Sequence, residues 1–224
     1  HLHLSLALAN RMNPEILFAR SLIQGGSLGK IYGVEMTLLA DQTRLARPAY
    51  HKSWYAHKDQ AGGGFLSWLG IHWIDLSMYL TESSITDVAG FTALVGGQPI
   101  DVEDSAAFSF RYAAGFLGTL TAGYYLKQGY QSMIKIWGSQ GWLEMLPFEE
   151  RHLEWTLNHN GKTLKFDKST EPRGYTPAVE KAVSAVANDQ DPLLTSRESL
   201  RIIRTIYACY EAAQTGKSQA IPQS

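Results

Sequence analysis

The sequence predicts an α+β fold: a large, mostly antiparallel open sheet with helices packed on one face. Three observations carry that prediction. From Ile85 to about Phe166, one strand-like stretch follows another. The separators are turn-like: Gly96-Gly97, Ala113-Ala114-Gly115, Gly138-Ser139-Gln140-Gly141 and Asn158-His159-Asn160-Gly161. Spacers this short make hairpins, and hairpins make antiparallel ladders. Helical patterns gather instead at the two ends of the chain, the segregation that marks α+β.

In order along the chain, His1 to Asn10 reads as a strand, first alternating and then apolar. A chain that opens inside a strand, with His rather than Met, is expected to be a fragment of a longer protein. Asn13-Pro14-Glu15 is a helix start, with Asn13 as N-cap and Pro14 at the first helical position. That helix should run to about Gln24 and stop at Gly25-Gly26. Lys30 to Ala40 alternates, with Tyr32, Val34, Met36 and Leu38 on one face: a strand. Asp41 to Ala61 is a polar, aromatic loop, longer than loops in compact domains usually are, and such loops tend to be functional.

The Gly62-Gly63-Gly64 run opens a helix that ends near Leu80. The strands that follow are Val88–Val95, Ser105–Tyr112, Phe116–Tyr125, Met133–Trp137, Trp142–Leu146, His152–Leu157 and Thr163–Phe166. Two helices close the chain. One begins at Thr176-Pro177 and carries Val179, Val183 and Val186. The other begins with the capping box Thr195-Ser196-Arg197-Glu198, carries Leu200, Ile203, Ile206, Tyr207 and Tyr210, and ends at Gly216.

Composition narrows the function classes. The 224 residues are 45% hydrophobic and 18% charged, the profile of a folded domain with a proper core. Net charge is −1 and no basic run occurs, which argues against nucleic-acid and anionic-membrane partners. No apolar stretch reaches the ~18 residues of a membrane span. The single Cys209, in a helical pattern, reads as a buried structural thiol and fits a cytoplasmic, reducing compartment. His51 and His57 stand six apart with no carboxylate ligands nearby, so no metal site is expected.

Any chemistry is expected on the stretch from Gly62 to Asp75. Glycines let the backbone approach a ligand closely, and a helix start offers N–H groups and a positive dipole end. His72 lies on the first turns of that helix. In the long loop, Trp54, His57 and Lys58 are the specificity candidates. Arg11, placed by the sequence at a strand end, either binds substrate oxygens or forms a plain interdomain salt bridge.

Several segments, in order, resemble the C-terminal domain of the glucose–fructose oxidoreductase / inositol dehydrogenase (Gfo/Idh/MocA) family. They are Asn10-Arg11-Met12-Asn13-Pro14, Leu22 to Ile31 with its Gly26-Ser27-Leu28-Gly29 turn, and the glycine-run helix. Val102 to Ala106, Gly138 to Gly141 and Tyr210 to Gly216 complete the set. The resemblance spans nearly the whole chain and implies a mixed, mostly antiparallel open sheet. Residues 1–12 would be the remnant of the last strand of a missing Rossmann domain, and 13–224 the domain for substrate and oligomer contacts. NAD or NADP would belong to the intact protein, and none is expected to bind this chain alone, which lacks a Gly-x-Gly-x-x-Gly fingerprint. The family's Glu-Lys-Pro segment is also absent.

The resemblance implies further that His72 takes part in proton transfer at the hydroxyl being oxidised, a role that suits an imidazole. Its usual partner, an aspartate four residues earlier, is here Trp68. Trp68 stacks on a sugar's C–H face or fills the core. Asp75 reaches toward His72 or plays a structural part. Gly62, Gly63 and Gly64 would lie beside cofactor and substrate.

Two functions remain open. One is the substrate-binding and oligomerisation domain of an NAD(P)-dependent oxidoreductase acting on a sugar, cyclitol or polyol. The other is a non-catalytic sugar-binding or scaffolding protein whose dyad has decayed. NAD-dependent glycoside cleavage is a third reading. A homodimer or homotetramer is expected through the uncovered sheet face, which Phe108, Phe110, Leu120 and Ile136 or their alternates should line.

Overall fold

The computed structural model describes residues 3–146, 154–157, 163–165 and 173–223. A 3-10 turn, Ala9–Met12, leads into helix α1 (Pro14–Gln24), strand β1 (Ile31–Asp41), and the short helices α2 (Pro48–His51) and α3 (Lys58–Ala61). A π-helical turn, Leu66–Gly70, runs directly into α4 (Ile71–Thr81). Strands β2 (Ile85–Ala93), β3 (Ser105–Tyr112), β4 (Leu117–Leu126), β5 (Tyr130–Gly138), β6 (Gly141–Met145), β7 (Glu154–Leu157) and β8 (Thr163–Lys165) follow. Helices α5 (Tyr175–Ala187) and α6 (Ser196–Thr215) and a two-residue strand β9 (Gln219–Ala220) end the described chain.

The described strands form one nine-stranded open sheet in the order β8-β7-β6-β5-β1-β4-β3-β2-β9. Every pairing is antiparallel except β1 with β4. A parallel pair needs a long crossover. Here α4 and the β2–β3 hairpin supply it, which puts β1, the first strand made, at the middle of the sheet.

Side chains alternate across the sheet, so each strand contributes one residue set to each face. Val34, Met36, Leu38 and Ala40 of β1 are buried, in register with Leu120 and Ala122 of β4 and with Ile134 and Ile136 of β5. Helix α4 lays Trp73, Ile74 and Leu76 into this core, and α6 adds Ile202, Ile206, Cys209 and Ala212. Two polar bonds fix the interior: Tyr112 Oη donates to Ser77 Oγ at 2.7 Å, and Trp73 Nε1 to the Met133 carbonyl at 3.1 Å.

Several expectations need correction. Residues 3–8 form no ladder with any described strand; an extended segment becomes a strand only when a neighbour takes its hydrogen bonds. Its Leu6 N–H instead donates to Ser199 Oγ at 3.1 Å. Arg11 therefore sits in a 3-10 turn and not at a strand end. Asn13 holds the N-cap position of α1, but its Oδ1 accepts the Gly174 N–H at 3.0 Å. The Asp41–Ala61 loop contains α2, a 3-10 turn (Trp54–Ala56) and α3.

Phe108, Phe110, Leu120 and Ile136 lie on the helix-covered face, none more than 3% exposed. Their alternates on the open face are mostly small and polar, such as Ser109, Thr119, Thr121 and Lys135, with Phe91 exposed on β2. On α5, Val179, Val183 and Val186 point outward and are about half exposed or more. On α6 the buried face is rotated from the expected one, so Leu200 and Tyr207 are exposed. The Asn158–Gly161 turn and parts of the His152–Leu157 and Thr163–Phe166 strands lie outside the described residues.

Candidate active site

The glycine run is shaped by contacts within its own chain. Gly62 adopts a left-handed conformation (φ +74°) and ends α3. A Cβ on Gly63 would strike the Tyr210 hydroxyl, and one on Gly64 would strike the Glu103 carbonyl. Those contacts exist because Glu103 caps the helix start. Its Oε2 accepts the Gly64 N–H at 2.7 Å and its Oε1 the Leu66 N–H at 3.0 Å, while its carbonyl accepts the Phe65 N–H at 2.9 Å. Tyr210 Oη is a fourth donor to Glu103, reaching Oε1 at 2.8 Å. The expected N–H groups of the helix start are thus taken by the carboxylate and carbonyl of Glu103, 39 residues away in sequence from Gly64. Burial pushes the Glu103 carboxyl up, against the pull of its donors, and burial with Glu103 pushes the Tyr210 phenol up.

The helix then passes through a π turn, closed by the Ile71 N–H on the Leu66 carbonyl. Single π turns inside helices concentrate at functional sites. Trp68 lies in this turn, and its ring joins an aromatic wall from the long loop. Ring centroids are 5.4 Å from Trp54 and 5.5 Å from Tyr55, and Tyr55 stands 5.1 Å from Tyr50. Arg44, Arg47, Ala49, Tyr50, Tyr55 and Trp68 line a cavity of about 380 Å³. Tyr124, beneath Phe65 at 4.6 Å, borders the same group; burial and the neighbouring Tyr50 push its phenol up to about 12, against the pull of Arg44.

His72 follows Trp68 by four residues, at the start of α4. Burial lowers its pKa, so its imidazole stays neutral below the usual range. Its Nδ1 is buried and has no hydrogen-bond partner among the described residues. An unpaired buried polar atom costs about 1–3 kcal/mol and calls for an explanation. The position from which a carboxylate was expected to serve this ring holds Trp68, which has no acceptor to offer.

Residues 16–144 match the model of the GFO/IDH/MocA C-terminal domain, more than half of the chain. The chain belongs to that family. Levoglucosan dehydrogenase of Pseudarthrobacter phenanthrenivorans is 28% identical over 135 residues, covering 50% of this chain and 34% of that enzyme. An oxidoreductase domain protein from Kribbella flavida matches in structure at a TM-score of 0.86 and 24% identity, over 97% of this chain and 65% of that one. A levoglucosan dehydrogenase solved with NADH and levoglucosan matches at 0.86 and 20% identity, over all of this chain and 67% of that one. The chain thus spans about two thirds of its solved relatives' length and a third of the curated enzyme's.

In this GFO/IDH/MocA domain His72 is not among the residues that line the cavity, and six further site residues expected from sequence form three groups. Trp68 and Trp54 come together in the aromatic wall. Arg11 and Asp75 come together with each other: Arg11 Nη2 donates to Asp75 Oδ1 at 2.6 Å, its Nε lies 3.0 and 3.1 Å from the two carboxylate oxygens, and its Nη1 reaches Glu198 Oε1 at 2.9 Å. Both are buried, at 3% and 1% exposure, and neither lines the cavity. Burial works to lower the Arg11 pKa, but Asp75 and Glu198 outweigh it and hold the guanidinium charged. Arg11 thus forms its ion pairs with Asp75 and Glu198 of this chain, where an interdomain salt bridge was the alternative weighed. His57 and Lys58 sit at the start of α3, with the Lys58 N–H on Asp101 Oδ1 at 2.6 Å, and also stay outside the cavity lining.

Sequence reasoning passed over Arg44, Arg47, Tyr50 and Tyr55 as cavity residues, Tyr124 as their neighbour and Glu103 as the helix cap. The first four were visible as basic and aromatic residues interleaved in one long loop. No group of three or more metal-ligating side chains occurs among the described residues, and no helix there is long and apolar enough to cross a membrane.

Proposed function

We propose that this domain is the substrate-binding and oligomerisation half of an NAD(P)-dependent oxidoreductase acting on a sugar, cyclitol or polyol. The observation that supports it best is His72, kept neutral by burial, four residues beyond the Trp68 that lines the aromatic cavity. The aromatic faces of Trp68, Tyr55 and Tyr50 suit the C–H face of a sugar ring, and the cavity falls within the usual range for small-molecule sites. The nucleotide would be held by a domain outside this chain, with Gly62, Gly63 and Gly64 nearby. The Nδ1 of His72 is the feature that fits a bound group beside this helix, because that atom has no partner among the described residues to fix the ring.

When bound, the nicotinamide would accept or return the hydride of the carbinol carbon. The chain's own part is the proton. With no described residue fixing Nδ1, whatever meets Nε2 sets the tautomer of the His72 ring. A substrate hydroxyl facing Nε2 gives its proton there as the alcohol is oxidised, leaving the ring doubly protonated. In the reverse direction the imidazolium returns that proton to the alkoxide.

The unpartnered Nδ1 and Trp68 together also favour a second reading: a non-catalytic sugar-binding or scaffolding protein whose dyad has decayed. The variant Trp68→Asp separates the two in a polypeptide carrying the nucleotide-binding domain. If the oxidoreductase reading is right, the parent turns over and Trp68→Asp is weaker, because a carboxylate replaces an aromatic stacking face. A parent without turnover that gains it on Trp68→Asp establishes decay instead.

The open sheet face is proposed as the contact of a homodimer or homotetramer. Light scattering at micromolar concentration should give at least twice the monomer mass. A monomer there contradicts the oligomer.

A further inference from the structure

The cavity beside Trp68 carries two arginines and no carboxylate, and from this we propose that its substrate is an anionic sugar or polyol, one bearing a carboxylate or a phosphate. The inference rests on the reading of this cavity as the substrate site and goes on to name the class of substrate.

Arg44 and Arg47 are three residues apart between β1 and α2, and both line the cavity. Among the described residues, neither guanidinium has a carboxylate within 4.0 Å, whereas Arg11, Arg20, Arg111 and Arg173 each reach one. Glu103 is close enough to act on the Tyr50 phenol, but its oxygens are already bound by the Gly64 and Leu66 N–H groups and by Tyr210. Trp68 adds a neutral ring to the same lining, and Asp41, the carboxylate close enough to feel Arg47, is not among the lining residues.

The surrounding loop reinforces the sign. From Asp41 to Ala61 it holds Arg44, Arg47, Lys52 and Lys58 against Asp41 and Asp59, in a chain whose overall charge is −1. A guanidinium presents a planar fork of N–H donors that matches carboxylate and phosphate oxygens. The two arginines thus supply charge and geometry for an anionic group, and the aromatic wall supplies the apolar face for the carbon ring that carries it.

The test is calorimetric binding of glucose, glucuronate and glucose 6-phosphate to the protein that includes the nucleotide-binding domain, with nicotinamide reduction followed in parallel. At least one anionic sugar should bind about 10- to 100-fold more tightly than glucose, the range expected for charge-assisted hydrogen bonds. That preference should weaken with added salt and disappear in the double variant Arg44→Gln/Arg47→Gln, whose altered side chains are exposed. A preference for glucuronate identifies the carboxylate, and one for glucose 6-phosphate the phosphate. Glucose binding as tightly as both anions overturns the proposal. So does a preference that survives the double variant, or a variant effect confined to the nucleotide. Anion preference without any nicotinamide reduction supports this inference while removing the oxidoreductase reading beneath it.

Discussion

Arg11→Ala should destabilise the domain by about 3–5 kcal/mol, the usual cost of breaking one side of a buried ion pair. Arg11 is the knot where three elements meet: the 3-10 turn that carries it, α4 through Asp75, and α6 through Glu198. Removing it leaves Asp75, at 1% exposure, as a buried carboxylate whose Arg11 contacts are gone. Asp75→Ala should do comparable damage from the other side. The double variant Arg11→Met/Asp75→Leu should recover much of the loss, because packed apolar side chains replace a buried pair at little cost. Urea unfolding of the four proteins measures this directly. Single variants that lose less than about 1 kcal/mol, the value of an exposed pair, would show that the pair is solvated.

His72→Ala should lower turnover by about 10²- to 10⁴-fold, the range that general acid–base groups contribute. The loss should fall mainly on kcat, because a proton acceptor acts in the transition state and adds little to substrate affinity. His72→Gln, which keeps polarity and approximate size, should be nearly as poor. It would separate the loss of a titrating group from the loss of bulk on α4. Unchanged kinetics in both variants would remove His72 from the mechanism.

The parts of this domain that were legible in its sequence are those decided locally. Ser105–Tyr112 is a strand with the bounds its alternation gives, and α1 runs from Pro14 to Gln24 as the proline start and glycine stop require. The capping box of α6 forms as read, with the Thr195 N–H on Glu198 Oε2 and the Glu198 N–H on Thr195 Oγ1. What escaped depends on distant partners. Alternation in β3 separates Phe108 and Phe110 from Ala107 and Ser109, but only the position of α4 and α6 decides which set is covered. Residues 3–8 have strand composition and no ladder partner among the described strands. The valines of α5 keep helical spacing, yet no described element covers them.

The site follows the same rule. The glycine run and His72 stood out because their spacing is local. Glu103, which fills the helix start, did not, because its partners at Gly64 and Leu66 lie 39 and 37 residues away. The π turn has no local signature either, although it places Trp68 in the aromatic wall. Arg44, Arg47, Tyr50 and Tyr55 were visible as loop residues. Only the folded loop gathers them into one cavity with Trp68.

The most direct test of His72 as the proton acceptor is the pH profile of kcat/KM for alcohol oxidation, taken on the parent and on His72→Gln. Burial lowers the His72 pKa from its ordinary value of 6.5, and the base form is the active one in oxidation. The parent should therefore hold its rate as pH falls past 6.5 and lose it through an inflection below that value, and His72→Gln should lack that inflection. The same inflection in both proteins would contradict the account.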